Sequence, residues 1–163
     1  MTFRLSVLLA ALCAGVAIYS SYASAQTNRT SVPPPTAQQI VLARQAAFEM
    51  SAITFGSLKW AMREGKEAKT QGFYTGAMVS WSRALPSMFP SGTGVGETPV
   101  PTAALSEIWT NWRDFQAKDA DYIAAVTKLN DMVKSNDTAN FTSQLMTIKD
   151  TCDACHKDFK TRD

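Results

Sequence analysis

Residues 105–133, LSEIWTNWRDFQAKDADYIAAVTKLNDMV, decide the fold. Leu105, Ile108, Trp112, Phe115, Asp119, Tyr122, Val126, Leu129 and Val133 recur at alternating steps of three and four. That rhythm keeps one helix face turned toward a partner helix. Toward the C-terminus it returns as Phe141, Leu145, Ile148, Cys152, Cys155 and Phe159. Toward the N-terminus it gives Tyr74, Met78, Trp81, Leu85 and Met88. Before those stand Val41, Arg44, Phe48, Ser51, Phe55, Leu58 and Met62, a line apolar except for Arg44 and Ser51. Pro86 disfavours helical geometry at Leu85, so the second helix is predicted to end there with Met88 just beyond. No comparable stretch alternates with period two, and no strand is predicted.

The breaks fall between these lines. Gly65 and Gly72 bracket a polar turn. Residues 90–101 carry Pro90, Gly92, Gly94, Gly96, Pro99 and Pro101 and read as a loop. Residues 134–137 form a short polar turn, with Asp137 or Thr138 as the expected N-cap of the last helix. Pro35 and Thr36 supply a start signal for the first. Four apolar-faced segments with short connections predict an all-α fold over residues 36–163, an antiparallel up-down four-helix bundle. Upstream, residues 26–35 contain Pro33-Pro34-Pro35 and read as a Pro-rich tail, because three prolines cannot sit in a helix interior. Residues 1–25 read as a signal peptide: Arg4 is the positive start, residues 5–18 are apolar, and Ala23-Ser24-Ala25 is a small-residue cleavage pattern. The apolar run is shorter than the roughly 20 residues that span a bilayer. The expected product is exported to the periplasm, has no membrane contact after cleavage, and has lost Cys13.

Composition narrows the function. Of 163 residues, 45% are hydrophobic and 18% charged, which excludes disordered and collagen-like chains. A net charge of +2 makes no electrostatic case for nucleic acid or an acidic membrane surface. Three Cys and one His are too few for a disulfide scaffold or a zinc cluster protein. Most Met and aromatic positions on the four lines are core. Yet 4 Trp and 8 Phe are more bulk than four thin seams need, and a large flat apolar guest would use it.

Cys152-Asp153-Ala154-Cys155-His156 carries the chemistry. It is C-x-x-C-H, the attachment pattern of c-type haem. Helix residues three and four apart share a face. Cys152 and Cys155 can therefore reach two vinyl groups on one macrocycle edge and form thioethers. His156, one turn from Cys152, can place an imidazole nitrogen on the iron at high effective concentration. A thioredoxin-type pair would sit near a βαβ unit at a helix start. A zinc site would need four ligands. A simple disulfide is the third alternative. His156 is the only histidine, so the sixth iron position is a Met, another group, or open. The mature chain offers Met50, Met62, Met78, Met88, Met132 and Met146.

Four local patterns in order now make the chain resemble the cytochromes c′, the class II c-type cytochromes. They are Ala43-Arg44-Gln45-Ala46-Ala47-Phe48 on the first helix, the loop Phe89-Pro90-Ser91-Gly92-Thr93-Gly94, Glu107-Ile108-Trp109 opening the third helix, and residues 152–160. The resemblance implies a four-helix bundle with one covalently bound haem c, Cys152 and Cys155 as its attachment points and His156 as the proximal iron ligand. It implies that Arg44 and Gln45 approach the haem edge and its propionates. A buried-seam Arg44 needs an anionic partner, which a propionate would be; the alternative is a side chain that snorkels to water. Glu97 falls where the family's loop nears the haem, with a backbone contact expected because a propionate would repel its carboxylate. Lys160 occupies the basic position one turn after the proximal histidine.

In the resemblance Phe48 takes the position facing the distal side of iron. Phenylalanine has no lone pair to donate, so the iron is expected to be five-coordinate and high-spin under an apolar lid. Such a site would bind NO and CO, disfavour oxygen for want of a distal hydrogen-bond donor, and serve NO sequestration or electron transfer with redox partner proteins. The alternative is a low-spin, six-coordinate His/Met electron carrier, reached if a register shift brought Met50 to iron. No acid–base pair or second metal site argues for an enzyme. Family members commonly dimerise through their first two helices, so a homodimer is expected, with Ile53, Trp60 and Phe73 as candidate contacts.

Overall fold

The computed structural model describes residues 32–137 and 139–162. The expected signal peptide and residues 26–31 of the Pro-rich tail lie outside the described residues. Among the described residues five α-helices follow one another: α1 (Ala37–Arg63), α2 (Gly72–Ala84), the short α3 (Glu107–Thr110), α4 (Trp112–Lys134) and α5 (Phe141–Phe159). A 3-10 turn, Ala68–Gln71, leads into α2, and a second, Leu85–Met88, closes it with Pro86 at its start. Among the described residues there is no strand; Ala104 and Lys160 make one isolated antiparallel bridge. Among them, too, no helix is long and apolar enough to cross a membrane.

α1 begins where the start signal stands. The Thr36 hydroxyl accepts from the Gln39 N–H and the Gln39 amide oxygen accepts from the Thr36 N–H, a reciprocal cap that contributes about 1 kcal/mol. It ends at Gly65, whose φ of 65° is the left-handed turn a glycine adopts without strain. The Lys66 N–H then satisfies the Ala61 carbonyl.

Two boundaries depart from expectation. The line from Leu105 to Val133 was expected to be one helix, but it breaks at Asn111, where φ is −118° and ψ is 43°. The Asn111 carbonyl accepts from the N–H groups of Asp114 and Phe115 and so starts a new ladder. The bend costs no seam, because Ile108 before it and Phe115 after it are both buried. It frees Trp109 to donate its indole N–H to the Phe89 carbonyl at 2.9 Å. The last helix starts at Phe141 rather than just after Asp137 or Thr138, and its N-cap position is Asn140. Asn136 is left-handed, with φ of 55°, and the Asp137 carboxylate is already used by the Ala139 N–H.

α4 is the central helix. It packs extensively against α5 on one side and α2 on the other. Leu58, Ile108, Phe115, Val126, Leu129, Val133, Phe141 and Ile148 make up most of the fully buried core. Two buried polar pairs cross the seams: the Thr75 hydroxyl donates to Asn130 Oδ1 at 2.9 Å, and the Gln144 amide to the Ala125 carbonyl at 2.9 Å. Lys118 bridges α4 to α5 through Asp158 at 3.1 Å. α1 packs on α2 but touches α5 only sparsely. The loose seam between α1 and α5 is where the functional side chains gather.

Candidate functional site

The last two turns of α5 carry Cys152, Cys155 and His156. Both thiols are free and half-buried against the core, while His156 is exposed. Burial pushes the Cys152 thiol up and the Cys155 thiol up to about 11. Their place near a helix C-terminus disfavours the thiolate further. These are neutral thiols at pH 7, the opposite of the activated pair of a redox C-x-x-C at a helix start. Among the described residues no three His, Cys, Asp or Glu side chains gather as a metal site. Partial burial, then the nearby Lys160 charge, lowers the His156 pKa. Its imidazole is neutral at pH 7, with a lone pair available to a metal.

Phe48 of α1 stands opposite. Its ring centroid is 6.5 Å from that of His156, 5.1 Å from Trp81 and 6.4 Å from Phe89. Phe89 in turn meets Phe115 at 5.0 Å, and Phe115 meets Trp112 and Phe159 at 5.3 and 5.4 Å. Phe48, Phe55, Trp81, Met88 and Trp112 pack on the core yet are only partly buried. An apolar wall left half-covered, two free neutral thiols and one neutral imidazole fit a flat macrocycle bound by two thioethers and one axial nitrogen. The methionines divide otherwise: Met50 is 64% exposed and Met146 also faces out, Met78 and Met132 are core, and Met62 and Met88 pack on its edge.

Arg44 is 2% exposed, which rules out the snorkelling alternative. Its partners within the chain are neutral oxygens rather than an anion. It donates to the Met88 carbonyl (3.1 Å), the Thr93 hydroxyl (3.0 Å), the Thr93 carbonyl (2.7 Å) and the Thr102 hydroxyl (2.9 Å). The guanidinium lies 4.4 Å from the Phe89 ring centroid. It thus ties the loop of residues 88–102 to α1. Burial lowers its pKa without bringing deprotonation near neutral pH. The next side chain, Gln45, donates to the Pro101 carbonyl at 2.8 Å and fastens the far end of the same loop. Glu97 folds back on that loop: its carboxylate accepts from the Gly94 N–H and its own N–H donates to the Gly94 carbonyl. The Lys160 backbone N–H caps α5 at the His156 carbonyl.

Sequence reasoning gave no role to Thr93, which it quoted only within the loop pattern, and passed over Thr102; both receive the Arg44 side chain across the loop. It also passed over Asp119, a carboxylate on the α4 seam that is 6% exposed, whose Oδ1 has no hydrogen-bond partner. The signal was the one that flagged Arg44, a charge on an apolar line. Tyr122, one turn on, is buried and meets the Ser51 hydroxyl at 3.4 Å.

A family model described as Cytochrome C′ matches residues 39–160. The cytochrome c′ of Rubrivivax gelatinosus is 32% identical over 123 residues, which are 73% of this chain and 92% of that one. The match to the cytochrome c′ of Rhodospirillum rubrum, also 32% identical, runs over 85 residues and spans 55% of that protein and 52% of this chain. Among solved structures, cytochrome c′ from Rubrivivax gelatinosus superposes with a TM-score of 0.69 at 26% identity, covering 79% of this chain and all of that one. A nitric oxide complex of a cytochrome c′ variant from Alcaligenes xylosoxidans shares the fold, with a TM-score of 0.69 at 19% identity, over 80% of this chain and all of that one.

Proposed function

We propose, since this chain belongs to the cytochrome c′ family and carries a covalently attached haem c, that it is a periplasmic gas-binding protein taking NO and CO at an iron held on one side only. The haem would supply an iron able to take small neutral diatomic ligands. The chain does the rest. Cys152 and Cys155 would hold the ring through two thioethers, and neutral His156 would donate its imidazole nitrogen to the iron. Phe48 covers the distal side without donating anything. Trp81 and Phe89, both edge-on to Phe48, limit how far its ring can swing. With no second histidine in the chain, no distal imidazole holds a polar ligand such as bound oxygen.

The observation that carries this reading is the pairing of Phe48 with His156 at 6.5 Å across the α1–α5 seam, with Met50 two residues on and 64% exposed. Met50 lies about 200° round the helix from Phe48, on nearly the opposite face from His156. Arg44, Gln45 and Glu97 act on the loop beside the ring edge, and the remaining Nε–H of Arg44 is left for a haem propionate. Export by residues 1–25 and thioether formation in that compartment belong to the same reading. So does a homodimer formed on the outer face of α1 and α2, where Leu42, Ile53, Trp60 and Phe73 stay exposed, Phe73 at 84%. The physiological role is NO sequestration, with electron exchange through redox partner proteins as its companion.

The absorption spectrum of the reduced, haem-loaded protein, taken with and without CO, tests this. A high-spin spectrum that CO shifts is expected. A low-spin spectrum blind to CO would replace the reading with a His/Met electron carrier.

A further inference from the structure

We propose that Asp119 is a redox-linked proton-binding site, whose carboxylate takes up one proton as the haem accepts one electron. The inference rests on haem attachment at Cys152 and Cys155. In the balanced step, a one-electron donor supplies the electron to ferric iron and solvent supplies the proton. One O–H bond forms on the Asp119 carboxyl, and nothing else is made or broken.

Asp119 occupies the α4 stripe between Phe115 and Tyr122, about one helical turn from each. All three are buried. The carboxyl is close enough to Cys155 of α5 and to Tyr122 for its charge to disfavour ionisation of both. Its charge therefore acts at the sulfur that would tether the ring. Buried carboxylates are ordinarily paired or hydrogen-bonded. Here Oδ1 has no partner. The adjacent cation, Lys118, is engaged by Asp158 across on α5 at 3.1 Å. Of the titratable groups on the packed elements, Tyr122 on α4 and Cys155 on α5 feel the Asp119 charge; Lys118, Cys152 and Asp158 act on that same Cys155, while no charged group moves Asp119 itself. α1 contributes Ser51, which does not titrate and is held by Tyr122. His156 is set first by its burial, then by Lys160 and Asp153, and not by Asp119.

A carboxylate with one oxygen buried and unpaired in such a place is poised. Burial alone raises its pKa to about 6, so it is part-protonated near neutral pH. Reduction would remove one positive charge from the group tethered at Cys155, where the Asp119 charge acts. The anion is then less favoured, its pKa rises, and a proton binds. By linkage, the reduction potential falls as pH rises between the pKa of the oxidised and that of the reduced form. The limit is one proton per electron, about 59 mV per tenfold change in proton activity for a one-electron couple.

Equilibrium redox titrations of the haem-loaded protein from pH 4.5 to 9, on the wild type and on Asp119→Asn, read this directly. The wild-type potential is expected to fall across a window beginning near pH 6, and the variant to be flat there. A variant that keeps the wild-type slope, as titrating propionates would produce, overturns the proposal. A reduced-minus-oxidised infrared difference spectrum of the wild type needs no variant. It should show a protonated carboxyl band on reduction that moves in deuterated water, and its absence overturns the proposal too. The mass of the haem-bearing peptide from the same sample separates the two readings. Haem found away from residues 152–155 overturns both, while correctly attached haem with a pH-flat potential overturns only the Asp119 site.

Discussion

Replacing Arg44 by methionine tests what holds the loop of residues 88–102 to α1. Methionine fills much of the same volume, so the change removes charge and donors without opening a large hole. Four hydrogen bonds of 2.7–3.1 Å are lost, together with the contact of the guanidinium with Phe89 at 4.4 Å. Bonds from a charged donor contribute about 1.5–3 kcal/mol each, so a naive sum exceeds 6 kcal/mol. That sum is too large, because the variant also sheds the cost of keeping a guanidinium out of water, several kcal/mol by itself. The difference, chiefly the Met88 and Thr93 carbonyls and the Thr102 hydroxyl left short of a donor, is about 3 kcal/mol. Urea unfolding followed by the helical signal reads it: at a slope of roughly 2 kcal/mol per molar, the midpoint should fall by about 1.5 M. Arg44→Lys should recover only part, because an ammonium cannot span both edges of the loop as the planar fork does. A double-mutant cycle with Thr93→Val should show a coupling of at least about 0.5 kcal/mol. A midpoint shift below about 0.3 M, or strict additivity in the cycle, would refute the clamp and leave Arg44 with a role toward the haem alone.

Other changes separate the remaining claims. Phe48→Ala should speed CO and NO association in stopped-flow mixing by removing the lid, and unchanged rates contradict that role. Asp119→Asn should change how stability depends on pH. The folded carboxyl has a pKa of about 6 against the ordinary 3.8, so the folded form holds its proton more tightly. Wild-type stability should therefore fall as pH rises from about 4 through about 6 and level off above, by up to about 3 kcal/mol, while the variant stays flat in denaturant titrations across that range. Gly94→Ala should destabilise by about 1–3 kcal/mol, since a Cβ there lies 2.8 Å from both Glu97 Oε2 and Trp109 Cζ3, and the indole is pinned by its bond to the Phe89 carbonyl. Gly56→Ala, with nothing within 4 Å of its added carbon, should instead gain about 0.5–1 kcal/mol in thermal unfolding.

Arg44 and Asp119 show how far a pattern can be read. Both are charges on otherwise apolar lines, and the pattern marks such positions as needing a partner. It does not say which partner. For Arg44 the acceptors come from residues 44 to 58 positions away, brought back by a loop whose path no helical period encodes. For Asp119 the answer is that Oδ1 has none, a fact that exists only once α5 is packed against α4. Asn111 makes the same point for a boundary. The apolar line runs through it unbroken, and the break follows from where Trp109 and Phe89 must meet.

By itself the sequence determined what is local and periodic. Residues three and four apart share a helix face whatever surrounds them, so the seams, the four-helix bundle and the C-x-x-C-H face of α5 were all legible, as was the cap at Thr36. Tertiary structure decided what depends on pairs distant along the chain: that Phe48 rather than Met50 faces His156, that Arg44 binds a loop through neutral oxygens, that burial keeps both thiols neutral ahead of haem attachment, and that the Oδ1 of buried Asp119 has no partner. The physical reason is range. Helix periodicity is set by backbone geometry over a turn or two, whereas burial and hydrogen-bond partnership are properties of the packed whole and of the water it excludes.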